Sequence, residues 1–553
     1  MSMNACQISP HATLVNNPLA QDWNHTLERR HAWKGKDVKV FWYNPFTHVL
    51  MLPNDLTWDM PATATLDFLL DKIAVHTSTK YHKAEAILYL VSGKTNKNRP
   101  PREWFFEEAD GWSRTYFAWH SLQIDYTHVG FKVNIYGTCA FFDDCLDMEV
   151  MHEARAELDE RLQNTFAMRD YPALRPTPAQ TGKELLLVSL PKGKVYPRLP
   201  DALIDVINHN FGQARIETFT PKQEIVRDGC YILDGRWMYA ACLSQLPAGE
   251  VYRDNVNEFV GAINAKGTLA PYCPALYKVA VTVPDGWKHI GLLKSSKAEN
   301  FMDETGHYPN TPGATFTNWT TCDELALALH HGWHVEILER IIWPHKETDQ
   351  LATWKTKLKT LREQIEHELR VRELTDHDRQ VLELVKGAIR SILLFTIGSF
   401  HKFYTWSQPI YTPRSELPIM PALEDILGKR SYRVLSQKGN TLIWEEAIPL
   451  SENKQRFIHP EYSAIVWGRA RARLAEFALK LPYESIVSLM TDCVWSVSYP
   501  NWIAEEDTKK PGAFRLKDRT ANDFIWPVDS GKMRDAAIKQ NLEYKYPPKD
   551  EER

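Results

Sequence analysis

The chain has 553 residues, 44% of them hydrophobic and 25% charged, with a formal net charge of −4. That length holds several domains with separate cores, and the near balance of charge excludes a uniformly basic coat, so a polyanion binder of this composition must gather Lys and Arg into a groove. No run approaches the ~18 apolar residues of a membrane span, and MSMNACQISPHATLV lacks the basic-then-apolar order of a secretory signal.

The cysteines (Cys6, Cys139, Cys145, Cys230, Cys242, Cys273, Cys322, Cys493) show no paired C-x-x-C spacing. They read as reduced thiols of an intracellular, cytoplasmic protein. Residues 1–35 are polar and irregular. From Asp37, DVKVFWYNPFTHVLMLP predicts two strands with a turn at Asn44-Pro45. Thr65–Val75 has helical apolar spacing, Ala84–Val91 reads as a buried strand, and Arg114–Phe142 as another hairpin. Met148–Met168 is a charge-rich helix. The acids Asp143, Asp144, Asp147 and Glu149 suit its N-terminal dipole. Asp170–Lys194 is Pro-rich and marks a boundary. A helix at Leu199–Asn210 precedes Arg215-Ile-Glu217-Thr-Phe219, by itself an ordinary strand with an Arg–Glu pair.

Tyr231–Glu250, YILDGRWMYAACLSQLPAGE, opens as an apolar strand ending on Asp234 and then turns helical. A strand-end carboxylate is a place for a hard cation such as Mg²⁺; alone, it reads most simply as a strand that ends in Asp. Downstream, Pro274–Pro284, Leu292–Lys294, Gly313–Trp319 and Val335–Trp343 read as strands, with a helix over Thr320–Gly332 that Thr321 could cap. His330, His331 and His334 read as a solvated helix end. Two helices follow, Leu351–Glu373 and Asp376–Phe400. Then come an irregular stretch with a hairpin turning at Gly439-Asn440 and a helix over Tyr462–Leu481. Glu484–Tyr499 is a second hairpin with Asp492 at its tip. A strand-end Asp and a hairpin-tip Asp are what a two-metal phosphoryl-transfer site needs, with ions about 4 Å apart.

In this order Asp234-Gly-Arg-Trp-Met-Tyr239-Ala and Ser488-Leu-Met-Thr491-Asp492-Cys493 resemble motifs A and C of family B DNA polymerases. The likeness is nearest to the branch of protein-primed phage and linear-plasmid enzymes. The family writes Asp-x-x-Ser-Leu-Tyr-Pro and Tyr-x-Asp-Thr-Asp-Ser, so Met490 stands at its first motif C acid and only the Tyr of Ser-Leu-Tyr-Pro is kept. The resemblance implies an α/β (α+β) fold: a right-hand palm with helical fingers, preceded by an exonuclease-like domain. It divides the chain into an irregular segment (1–35), an inactive exonuclease-like domain (36–175), palm (176–345), fingers (346–402), insertion (403–455), palm again (456–520) and a reduced thumb or tail (521–553).

The function implied is DNA-dependent nucleotidyl transfer with two Mg²⁺ or Mn²⁺ ions, acting on dNTP and a DNA primer-template or single strand. Asp234 and Asp492 would hold metal and carry catalysis. Arg390, at the motif B Lys position, and Lys386 one turn earlier would neutralise the triphosphate, and Tyr239 would lie under the sugar. Nucleic-acid contacts are expected from Arg215, Lys355, Lys359, Arg469, Arg471, Arg473 and Lys517. No Asp-x-Glu ends the strand Phe41–Asn44, so proofreading is not expected. Two alternatives remain: a catalytically silent relative that binds nucleic acid or a replication partner protein, and a non-templated nucleotidyltransferase.

Overall fold

The computed structural model describes residues 10, 12–16, 39–77, 85–92, 112–118, 121–126, 131–143, 145–168, 172–189, 199–212, 215–220, 224–295, 308–347, 350–401, 404–406, 410–413, 432–438, 441–449, 458–503 and 510–526. The strand Lys39–Asn44 buries both its faces, with Phe41, Trp42 and Tyr43 at most 1% exposed. Such two-sided burial suits a parallel neighbour, and it runs parallel to Glu85–Leu90, itself parallel to Phe131–Gly137. Val49–Met51, Thr57–Asp59, Ser121–Tyr126 and Trp112–Ala118 complete a seven-stranded sheet. Helix Leu66–Thr77 covers one face through Leu66, Leu69, Leu70 and Ile73. Helix Met148–Phe166 packs Met151, Ala154 and Leu158 into the core that takes in Trp42 and Tyr89. Asp147 caps that helix by accepting hydrogen bonds from the N–H groups of Glu149 and Val150, as its position before the helix implies.

The expected helix pair is present as Gln350–Val371 and Asp376–Ser399, and the Thr375 side chain caps the second by accepting from Asp378 N–H. The Pro-rich boundary was an incomplete expectation: it contains a helix, Pro178–Ser189, packed against Asp376–Ser399. Its proline opens the helix, where a missing N–H costs nothing. Gly182 makes this contact possible, because a Cβ there would fall 1.8 Å from Thr396 Oγ1.

Tyr231–Gly235 is a middle strand of a five-stranded sheet, between Cys493–Ser496 and Phe514–Arg519; Ile486–Met490 and Ile216–Thr218 extend it beyond Cys493–Ser496. The strands predicted downstream at Pro274–Pro284, Gly313–Trp319 and Val335–Trp343 belong to a second sheet. Thr13–Asn16, Val251–Asp254, His334–Ile342, Ala275–Thr282 and Thr315–Thr321 pair with one another. Leu292–Lys294 forms no strand, although Leu292 and Leu293 are buried. Thr13–Asn16 is a strand inside the segment expected to be irregular. Thr321 precedes helix Cys322–His330, but its hydroxyl bonds to the Glu324 carboxylate instead of capping. His330, His331 and His334 are exposed, as expected of a solvated helix end.

Helix Pro460–Ala478 touches both sheets and leads to Ile486–Met490. The hairpin Tyr432–Lys438 and Thr441–Pro449 pairs as expected. Its turn, Asp144 and the tail beyond Trp526 lie outside the described residues. No helix among those residues is long and apolar enough to cross a membrane.

Candidate functional site

Asp234 lies directly opposite Cys493 on one neighbouring strand and Arg515 on the other. Asp492 occupies the tight turn that joins Ile486–Met490 to Cys493–Ser496. Thr491, at φ 60°, makes the turn and hydrogen-bonds Asp492 Oδ1 at 2.9 Å. Gly235 N–H donates to the Asp492 carbonyl at 2.8 Å and so ties the hairpin tip to the end of the Asp234 strand. A Cβ on Gly235 would meet that oxygen at 3.2 Å and Met238 Cε at 2.3 Å. Two acids far apart in sequence are thereby delivered to one cleft.

The cleft is lined by Asp234, Arg236, Trp237 and Tyr239 from the strand end and the short helix Met238–Cys242, by Asp492 from its hairpin turn and by Arg515 from its strand. Arg362 and Glu366 enter from one long helix and Arg390 and Leu394 from the other. Burial is the main cause that holds the Asp492 carboxyl above the usual carboxylate range. The nearby Asp234 charge adds to it, while Thr491 and Arg390 oppose it. The Tyr239 phenol is buried and held well above its ordinary range, chiefly by desolvation and then by Asp492. Burial, with Asp234 next, pushes the Cys493 thiol up to about 12, so it stands beside Asp234 as a neutral group. Lys517 Nζ is 3.9 Å from Asp234 Oδ1 and its side chain is 59% exposed.

The remaining expected residues divide by exposure. Arg390 is exposed and in the cleft. Lys386 is not among the lining residues; it pairs with Glu383 on its own helix. Arg215, 1% exposed, donates to Glu217 at 2.6 Å and to the Gly291 carbonyl at 2.7 Å, with its guanidinium over the Tyr308 ring. Arg469 binds Asp323 and the carbonyls of Cys242, Ser244 and Gln245. Arg471 is buried in a two-pronged pair with Glu324. In this structure these three, expected as nucleic-acid contacts, are engaged by protein acceptors and fasten elements of the fold to one another. Lys355 is half-buried and donates to the Leu243 carbonyl at 3.0 Å. Lys359 is partly exposed beside Glu363, and Arg473 is exposed.

Sequence reasoning passed over Arg236, Trp237, Arg362, Glu366 and Arg515. Arg236 and Trp237 were legible as the two residues after Asp234-Gly235. Arg362 and Glu366, spaced i,i+4, were lost in the density of charge on their helix. Met490 packs beside the cluster of Val226, Cys230, Val487 and Trp526, so apolar packing stands where the resemblance places an acid. Asn44 ends its strand by bonding the Leu146 carbonyl and accepting from the N–H groups of Phe46 and Thr47. Its side chain is a turn-former. Among the described residues no three His, Cys, Asp or Glu side chains gather as a metal site.

No protein-family model and no curated protein matches the sequence. Solved structures do. Phi29 DNA polymerase complexed with primer-template DNA and incoming nucleotide superposes with a TM-score of 0.52 at 13% identity, over 87% of this chain and 84% of that one. The same polymerase complexed with single-stranded DNA gives 0.51 and 13%, over 85% and 80%. The fold is similar to that of a DNA polymerase. This likeness covers 85–87% of the chain and supports the expected α/β polymerase-like fold.

Proposed function

We propose that the chain is a DNA-dependent nucleotidyltransferase of the family B polymerase kind, extending a DNA primer with dNTP and lacking proofreading. The observation that carries this reading is the convergence of Asp234, Asp492 and Arg390 on one cleft of a polymerase-like fold. The donor set fits a hard divalent cation: two carboxylates, one of them desolvated and repelled by the other, gain from a positive charge between them. Asp234 and Asp492 would hold Mg²⁺ or Mn²⁺, which when bound polarises phosphoryl oxygens and activates the attacking hydroxyl. Two acids leave much of each coordination shell to water and to triphosphate oxygens.

The protein's own part is positioning and charge. Arg390 reaches the cleft from the helix pair and offers its guanidinium to the triphosphate tail; Arg515 and Lys517 flank Asp234 on an edge strand where a primer phosphate would run. Tyr239 stays neutral at every working pH, which suits a flat wall beneath a sugar. Asn44 supports the absence of proofreading, since an amide engaged in a turn cannot replace a metal-binding carboxylate.

The loss of an acid at Met490 favours a second reading, a DNA-binding relative without chemistry. Labelled dNTP offered with Mg²⁺ or Mn²⁺ to a primed template and, separately, to an unpaired strand separates the cases. Template-dependent extension supports the proposal, extension of both strands alike supports non-templated transfer, and binding without extension supports the silent relative.

A further inference from the structure

The cleft already contains an anion of its own. Glu366 accepts from Arg362 Nε through Oε1 at 3.1 Å and from Arg236 Nη2 through Oε2 at 3.2 Å. Each oxygen therefore serves a different guanidinium, one from the turn after Asp234 and one from a long helix. Arg362 also lies over the Trp237 ring, its Cζ 4.4 Å from the centroid, so its plane is held from two directions. The Arg236 backbone is fixed as well: its N–H donates to the Ala513 carbonyl at 2.8 Å, and Gly512 N–H donates to its own carbonyl at 2.6 Å. Arg390 and Arg515 line the same cleft. Burial, with Arg390 and Arg236 as nearby like charges, holds the Arg362 guanidinium below its ordinary range, and Glu366 opposes this. The guanidiniums are thus partly desolvated and gathered on one carboxylate, and a guanidinium pair that shares one carboxylate is arranged as it would be around a phosphate.

We propose that Glu366 is a resident stand-in for the polyphosphate tail of the incoming nucleotide. It keeps Arg236 and Arg362 paired while the cleft is empty, and a triphosphate must displace it. The inference rests on the nucleotidyl-transfer reading of this cleft and names the regulation of its nucleotide seat. A phosphate chain carries more charge and more acceptor oxygens than a carboxylate, so it wins the exchange, but only after breaking two charge-assisted hydrogen bonds. The stand-in therefore lowers affinity for any polyphosphate and raises the selectivity for chains long enough to reach both guanidiniums and Arg390 together.

Glu366→Gln keeps the shape and removes the charge. Its amide presents N–H groups to one of the two guanidiniums, which is released. Binding of inorganic tripolyphosphate and of dNTP to the full-length protein, followed by calorimetry without metal and again with Mg²⁺, is expected to tighten by about tenfold in Glu366→Gln, the factor that 1.4 kcal/mol carries. The gain should shrink with added salt, because the groups are only half-buried. Pyrophosphate, which is shorter, should gain more than tripolyphosphate, so that discrimination by chain length falls. Arg236→Ala in the Glu366→Gln background should cancel most of the gain. Glu366→Asp, which keeps the charge but reaches one guanidinium, should fall between wild type and Glu366→Gln, and a thermal melt of each variant checks that it is folded.

Unchanged or weaker tripolyphosphate binding by folded Glu366→Gln, with wild-type binding intact, overturns the stand-in and makes Glu366 a group that orients the arginines. Absence of binding by both wild type and Glu366→Gln, with Mg²⁺ present, overturns the nucleotide seat itself and the proposed function with it.

Discussion

Arg471→Ala should damage the fold and not the grip on DNA. Arg471 is 6% exposed and Glu324 is 4% exposed. Arg471 donates Nε to Glu324 Oε1 at 2.7 Å and Nη2 to Oε2 at 2.9 Å, and also donates to the Gly212 carbonyl. The Thr321 hydroxyl also donates to Glu324 Oε2 at 2.8 Å, and the buried Lys294 lies within electrostatic reach of the same carboxylate. Truncating the arginine strips a buried carboxylate of its hydrogen-bonded charge partner, at a cost of about 3–5 kcal/mol. Replacing both members, Arg471→Met with Glu324→Leu, removes the stranded charge and should recover much of that loss, because a buried pair is worth little against apolar groups of similar size. Thermal and urea unfolding followed by circular dichroism at pH 7 reads the cost. Fluorescence anisotropy with a primed duplex, at a temperature where both proteins are folded, reads the binding. An Arg471→Ala protein within ~0.5 kcal/mol of wild-type stability, the range of ordinary surface changes, would refute the argument. So would a protein that melts normally but has lost DNA affinity, since that behaviour belongs to a phosphate contact.

Asp492→Asn should raise the melting temperature at neutral pH. The Asp492 carboxyl is held up by burial and by Asp234, so its folded pKa exceeds its unfolded one, and the folded form is favoured most at low pH and progressively less as pH rises through the folded value. The difference between Asp492→Asn and wild type in a melt should therefore vanish toward acid pH; a difference independent of pH would contradict this assignment. Gly235→Ala should cost ~1–3 kcal/mol by overpacking and weaken activity with it, because the added methyl presses on Met238 and on the Asp492 carbonyl; an undisturbed melt and activity would count against the tie at the hairpin tip. Charge reversal at the exposed Arg473 and Lys517 should weaken DNA binding and flatten its dependence on salt while leaving the melt unchanged; identical salt slopes for variant and wild type would remove both from the interface.

Local patterns carried the elements well. The apolar run before Asp234, the β-formers on either side of Asp492 and the helical spacing of the pair after residue 350 each produced the element they predict, because each depends on neighbours within a few residues. Sheet membership is not written in local pattern. Ala275–Thr282 and His334–Ile342 look no different in sequence from strands that would sit beside Asp234, and which edge pairs with which is set by long-range closure. The arginines of helix Pro460–Ala478 show a second limit. Arg469 and Arg473, four residues apart, share one face of the helix while Arg471 points away from both; Arg471 is buried on Glu324, Arg469 is drawn onto Asp323 and nearby carbonyls, and Arg473 is the exposed one. The acids that receive the other two, Asp323 and Glu324, lie on a helix distant in sequence. Glu366 was illegible for the same reason: its partner Arg236 belongs to the turn after Asp234.

The central claim is that Asp234 and Asp492 jointly support nucleotidyl transfer, and primer extension tests it most directly. Wild-type protein, with Mg²⁺ or Mn²⁺, a primed template and the complementary labelled dNTP, should add nucleotides that follow the template. Asp234→Asn and Asp492→Asn should each abolish addition while holding primed DNA with nearly wild-type affinity. Extension that survives either substitution, or a wild-type protein that binds the primed template and adds nothing with either metal, would contradict it.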